Sequence, residues 1–243
     1  MRKFYFKSTL KKIMSKSSKT LANFAYDDTH IAHLTERCPK LGEAITQIGK
    51  IERPVNTDLF SELMRTIIAQ QISAKAEITI WRRMQDLLGD IIPQSVAQID
   101  ANTLQSIGIS HRKVGYMQSI ANDILSQNIK LNELCLLSDA EVKARLSSFR
   151  GIGEWTAEML MIFSMNRLNV LSYGDLAIHR GLRMLYRHRE ITPALFAKYQ
   201  RRFHPYNSVA SLYLWQIASG VIPELTDPKP KNKPINPKQR TTK

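Results

Sequence analysis

Two glycines one residue apart, Gly151 and Gly153, lie between a helix with a strong start signal and a helix that is apolar nearly all round, with Asp175 following downstream. Ser138 and Glu141 have the S-x-x-E spacing in which hydroxyl and carboxylate satisfy each other's backbone N–H groups, so a helix starts there. Val142, Leu146 and Phe149 continue it on one face. Glycines then permit a tight hairpin over Phe149-Arg150-Gly151-Ile152-Gly153 and let another molecule approach the main chain. The next helix runs from about Glu154 to Met165, and its first N–H groups point out of the hairpin, where an anion such as a phosphate is favoured. A helix C-cap followed by a helix start uses the same residues and needs no ligand. Asp175 follows a glycine and precedes Leu176, Ile178, Leu182 and Leu185, the pattern of a helix N-cap that fixes a carboxylate in direction.

The rest of the chain reads as helical scaffold. Ile31, Leu34, Leu41, Ala44, Ile45 and Ile48 mark helix broken at Pro39, and Asp58 caps another that carries Leu59, Phe60, Leu63, Met64, Ile67 and Ile68 towards Gln70-Gln71. Ser73 caps a helix through Trp81 and Leu87 to Gly89, and Pro93 precedes a short one. Leu104-Gln105-Ser106-Ile107-Gly108-Ile109-Ser110 echoes the hairpin with one glycine, and Lys113 after it is a candidate phosphate contact. Val114 to Leu125 is amphipathic, Pro193 starts a further helix, and Asn207 to Gly220 is apolar on most faces and therefore buried. No strand alternation stands out, so the fold class is all-α.

Charge narrows the partner. Of the formal +14, residues 1–22 carry seven Lys/Arg and no acid, while residues 221–243 carry six against Glu224 and Asp227. From Lys143 to Arg202 eleven Lys/Arg face four acids, so basic charge also clusters around the hairpin and Asp175. This favours nucleic acid over a membrane surface. Residues 1–22 read as a disordered basic arm, with a transit peptide and a start at Met14 as alternatives, and residues 221–243 as a basic Pro/Lys-rich tail. Cys38 and Cys135 lie far apart without C-x-x-C spacing; both read as small core residues, and no zinc site, disulfide framework or iron–sulfur cluster is expected.

Phe149-Arg150-Gly151-Ile152-Gly153-Glu154-Trp155-Thr156-Ala157, followed by Gly174-Asp175-Leu176-Ala177-Ile178, resembles the helix-hairpin-helix DNA glycosylases, in particular the alkylpurine branch of 3-methyladenine DNA glycosylase II type. The likeness extends to Ile67-Ile68-Ala69-Gln70-Gln71-Ile72-Ser73 and to Trp215, over roughly residues 30 to 220. It implies one catalytic domain over 23–220, with two helical lobes flanking a cleft: 58–166 with the hairpin, and 23–57 plus 167–220. The implied activity is base excision repair, hydrolysing the N-glycosidic bond of alkylated purines (3-methyladenine, 7-methylguanine) in duplex DNA after the base is flipped. Asp175 is then the catalytic carboxylate, and Gln71, beside Gln70, is the wedge that fills the gap left by the extruded nucleotide. Gly151, Ile152, Gly153 and Thr156, with Arg150 and Lys113, hold phosphate, while Trp155 and Trp215, with Tyr213 and Tyr173, line the base pocket.

Relatives that also cut the strand have a nucleophilic lysine twenty positions before the aspartate; here that position is Trp155, which implies base removal by water alone. No cofactor is implied beyond a monovalent ion at the hairpin carbonyls. The implied partner is double-stranded DNA bound by a monomer, in the cytoplasm or nucleoid of a bacterium or the nucleus or mitochondria of a eukaryote. The chain departs from the family at Arg150, where many relatives have proline, at Glu154, which sets a negative charge beside the clamp, and at Leu171-Ser172-Tyr173-Gly174, which lacks a common proline. The β-rich N-terminal domain of some relatives is not expected here. A glycosylase for mismatched or oxidised bases and a non-enzymatic DNA-binding module are the competing readings.

Overall fold

A computed structural model describes residues 22–228. The basic arm, except Ala22, and the tail beyond residue 228 lie outside the described residues. In chain order the elements are β1 (Ala22–Asn23), α1 (Asp28–Arg37), α2 (Pro39–Ile48), β2 (Pro54–Val55), α3 (Leu59–Ala69), α4 (Ala74–Leu88), α5 (Pro93–Gln98) and α6 (Ala101–Ser106). They continue with α7 (His111–Leu125), a 3-10 segment (Leu131–Leu136), α8 (Asp139–Ser147), α9 (Glu154–Phe163), α10 (Leu176–Tyr186), α11 (Pro193–Phe203) and α12 (Asn207–Ser219). None of these helices is long and apolar enough to cross a membrane.

The caps anticipated from sequence set the boundaries. Asp58 accepts from Ser61 N–H, Ser73 from Ala76 N–H, and Ser138 and Glu141 form the reciprocal box that opens α8. Pro39 occupies the first turn of α2, where its missing N–H costs nothing. The small antiparallel pair of β1 and β2 was not anticipated, because two residues per strand are too few to show alternation.

The chain divides into two compact units. The first holds residues 22–25 and 52–167 among those described, and α3, α4, α5, α6, α7, α8 and α9 pack there around Leu63, Met64, Ile67, Met84, Leu104, Met117 and Leu160. Its membership differs from the sequence division. Ala22 pairs with Val55, Phe24 N–H bonds Arg53 O at 2.8 Å and Ala25 N–H bonds Asn166 Oδ1 at 2.7 Å, so these backbone bonds place both short segments here.

The second unit holds residues 26–51 and those from Leu168 onward, with α1, α2, α10, α11 and α12. Helix α12 is buried on most faces, as its composition implied. Cys38 is buried and bonds the Tyr186 hydroxyl at 2.7 Å. Cys135, in the first unit, corrects the reading of both cysteines as core residues: its 3-10 segment turns only Leu134 fully inward and leaves Cys135 outside.

The second unit also contains a titratable aromatic stack. Tyr186 and Tyr199 lie 4.2 Å apart and nearly parallel, and Tyr199 Oη approaches His188 Nε2 at 2.6 Å. Burial pushes the Tyr199 hydroxyl up to about 12. Burial, then the charges of Lys198 and Lys40, pulls His188 below its ordinary 6.5. The folded chain therefore favours neutral His188, whose contribution is full above the unfolded value and lost as pH falls below it. Thermal melts between pH 7.5 and 5.5 are expected to show a smaller loss of stability on acidification in His188→Gln than in wild type; equal slopes contradict this.

Candidate functional site

The hairpin is built by alternation. Phe149 and Ile152 are buried and anchor the turn in the first unit, while Arg150, Gly151 and Gly153 face outward. Ile152 N–H closes it on Phe149 O at 3.0 Å. Gly151 has φ +88°, and a Cβ there would lie 2.4 Å from the Tyr116 ring, so both backbone and packing demand glycine. Gly153 caps α9 without any side-chain bond, which leaves the positive end of the helix to main-chain N–H groups. Ile152 and Thr156 are buried, so any contact they make with an anion runs through the backbone. Glu154 is paired with Lys143, which also lies 3.5 Å from the buried Glu158. That pairing, mainly the hydrogen bond to Glu154, raises the Lys143 ammonium and offsets the negative charge beside the clamp.

Gln70 and Gln71 do different things. Gln70 donates from Nε2 to Gly151 O at 2.7 Å, so its side chain is tied to the hairpin instead of pointing out as part of a wedge. Gln71 is exposed and held at φ +57°, in the left-handed region, with half-exposed Ile72 beside it. Lys113 corrects a second expectation. Its Nζ donates to Ile68 O at 2.8 Å and Gln70 O at 2.7 Å, capping the carbonyl end of α3 where a phosphate contact was anticipated. Partial burial, then Arg112, lowers its ammonium. Lys113→Met is expected to cost roughly 1–2 kcal/mol, because charged hydrogen bonds to α3 are lost, and thermal melting reads it as a fall of several degrees. An unchanged melting temperature contradicts this role.

In the second unit Asp175 caps α10 and is 7% exposed. Its Oδ1 accepts from Ala177 N–H at 2.8 Å and Ile178 N–H at 3.0 Å, and its Oδ2 from Trp215 Nε1–H at 3.2 Å. Three donors thus fix the direction of one carboxylate. The bond from Trp215 had no sequence signal, since forty residues separate the partners. Tyr173 is 46% exposed two positions upstream. Tyr213 is corrected from pocket to core: it is 1% exposed and donates to Gly49 O at 3.2 Å, with Tyr26 Oη 3.3 Å away. Trp155 is 39% exposed on α9, in the first unit. Among the described residues no cluster of three or more His, Cys, Asp or Glu could hold a metal ion.

Residues 64–205 match the family described as HhH-GPD superfamily base excision DNA repair protein. The chain belongs to this superfamily. DNA-3-methyladenine glycosylase 1 of Schizosaccharomyces pombe is 30% identical over 217 residues, which cover 87% of this chain and 92% of that relative. The solved DNA-3-methyladenine glycosidase of Bacillus halodurans aligns with a TM-score of 0.76 at 31% identity, over 84% of this chain and 95% of that one. The 3-methyladenine DNA glycosylase of S. pombe, solved in complex with abasic DNA, gives 0.68 at 29% identity, over 82% and 99%.

The HhH-GPD match takes in the Gln70-Gln71 turn, the hairpin and Asp175, and ends before Trp215. An HhH-GPD chain of this geometry offers two chemical capacities. Uncapped main-chain donors at the head of α9 suit a backbone phosphate. A buried carboxylate held by three N–H donors suits stabilisation of positive charge.

Proposed function

We propose that this chain is a monofunctional DNA glycosylase that removes alkylated purines from duplex DNA, acting as a monomer in the compartment that holds the DNA. The observation that carries the proposal is the Asp175 carboxylate, 7% exposed and fixed by three donors. As the C1′–N bond breaks, its electron pair leaves with the base and neutralises the charge that alkylation placed on the ring. Positive charge develops on the deoxyribose, and Asp175 stabilises it and orients water for attack at C1′. The hairpin grips a backbone phosphate through the main chain of Gly151, Ile152, Gly153 and Thr156, with Arg150 beside it and an ion at the carbonyls compatible with that grip. Gln71 enters the duplex behind the extruded nucleotide.

Trp215, bonded to the Asp175 carboxylate, supplies a flat wall for a cationic purine, and Tyr173 adds an exposed ring; in the first unit, Trp155 offers an exposed aromatic face of its own on α9. No amine stands at Trp155, so water is the nucleophile and the strand stays whole. The names of the relatives in Bacillus halodurans and S. pombe support the alkylpurine class. A panel of duplexes carrying 3-methyladenine, 7-methylguanine, ethenoadenine, hypoxanthine, 8-oxoguanine or a mismatch tests it. Release confined to alkylated purines, with unnicked abasic product, is expected; preferred release of 8-oxoguanine or a mismatched base, or strand cleavage, overturns it.

A further inference from the structure

In the loop that delivers Asp175, Leu171 and Ser172 are buried, while Tyr173 and Gly174, the two residues next to the carboxylate, are exposed. Leu171-Ser172-Tyr173-Gly174 contains no proline, and a glycine directly precedes the carboxylate. Asp175 N–H reaches back to Ser172 O at 3.3 Å, and the buried Ser172 hydroxyl has no hydrogen-bond partner. Yet a reacting carboxylate must be held closely, since a misplacement of about 1 Å costs on the order of a hundredfold in rate.

One side chain of α10 reaches back to this loop. His179 Nε2 lies 2.8 Å from Tyr173 O, and because a carbonyl only accepts, Nε2 carries the hydrogen. The backbone N–H of His179 bonds Asp175 O at 3.1 Å in the first turn of the helix that Asp175 caps. Its ring stacks on Phe196 of α11, with centroids 5.6 Å apart, and meets Tyr173 edge-on at 4.9 Å. Tyr173 also stands perpendicular to Phe196 at 5.0 Å. The main chain two residues before the carboxylate is thereby tied to the helix behind it, and three rings pack the tie.

We infer that His179 is the positioning residue for Asp175, its bond to the Tyr173 carbonyl supplying the stiffness that a proline would give the loop. It touches no reacting atom; it acts by keeping Asp175 Oδ2 against Trp215 Nε1–H. The inference rests on the reading of Asp175 as the catalytic carboxylate. It also makes α11 part of the support of the site through Phe196, a residue far from Asp175 in sequence.

The test combines turnover with a readout that needs no turnover. Wild type, His179→Ala, His179→Gln and the reference Asp175→Asn are compared on methylated duplex DNA, well below each melting temperature. His179→Ala is expected to lower kcat at least tenfold with KM unchanged. In His179→Gln the amide Nε2–H2 can again donate to Tyr173 O, and kcat is expected within about threefold of wild type. In parallel, the Trp215 indole N–H resonance, assigned with Trp215→Phe, is expected to shift in His179→Ala and to return in His179→Gln. Unchanged kcat in His179→Ala, an equally impaired His179→Gln, or an unmoved indole resonance overturns the inference. If wild type releases no base, the glycosylase reading fails separately, and the indole resonance still decides whether His179 positions Asp175.

Discussion

Asp175→Asn is expected to slow base release by about three orders of magnitude, ~4 kcal/mol of transition-state stabilisation, while fold and DNA binding survive. The separation follows from the cap. Asparagine is as good an N-cap as aspartate, and its carbonyl oxygen can still accept from Ala177 and Ile178 N–H, so α10 keeps its start. What disappears is the negative charge that stabilises the deoxyribosyl cation, together with the acceptor for Trp215 Nε1–H, which then faces the asparagine amide donor. Removing a charge that repels phosphates leaves duplex affinity equal or tighter. Single-turnover rates, binding isotherms and melts on the same preparation check the three parts together. A melting temperature that collapses with the rate instead makes Asp175 chiefly a cap.

Gly181→Ala is expected to be the most damaging small substitution in the second unit. Helices α10 and α12 approach so closely there that a Cβ on Gly181 would lie 2.4 Å from Leu214 O. The obstacle is backbone, so the helices must separate, at a cost of about 3 kcal/mol. At roughly 2–4 °C per kcal/mol for a chain of this size, the melting temperature falls by about 6–12 °C. Trp215 follows Leu214 on α12, so the same displacement draws its indole from Asp175 Oδ2, now 3.2 Å away. Release by the folded fraction is therefore expected to drop as well, while Gly115→Ala, which meets nothing within 4 Å, serves as a near-neutral control. A melting temperature within about 2 °C of wild type contradicts the close-contact account.

Local chemistry was legible in the sequence. Asp58, Ser73, Ser138 with Glu141, and Asp175 each cap the helix that their spacing implied, because capping is settled within four residues. The hairpin was legible for the same reason, its two glycines lying between clear helix signals. Long-range polar pairing was not. Lys113 reaches carbonyls more than forty positions away, Trp215 meets Asp175 across forty, and Gln70 turns to Gly151 across eighty-one. Tyr213 misled because an aromatic residue beside Trp215 has the same composition signal whether it faces a pocket or, as here, Gly49 O and Tyr26. Cys135 misled because a 3-10 segment of six residues has no apolar period that marks its inward side.

The measurement that bears most directly on the central claim is product analysis of methylated duplex DNA incubated with wild type and with Asp175→Asn. Free bases are resolved by chromatography and the strands are checked for nicks. Wild type is expected to free methylpurines and leave abasic, unnicked strands, and Asp175→Asn to bind the same duplex and free them about a thousandfold more slowly. Methylpurines released by Asp175→Asn at the wild-type rate would contradict the account and reduce Asp175 to the cap of α10.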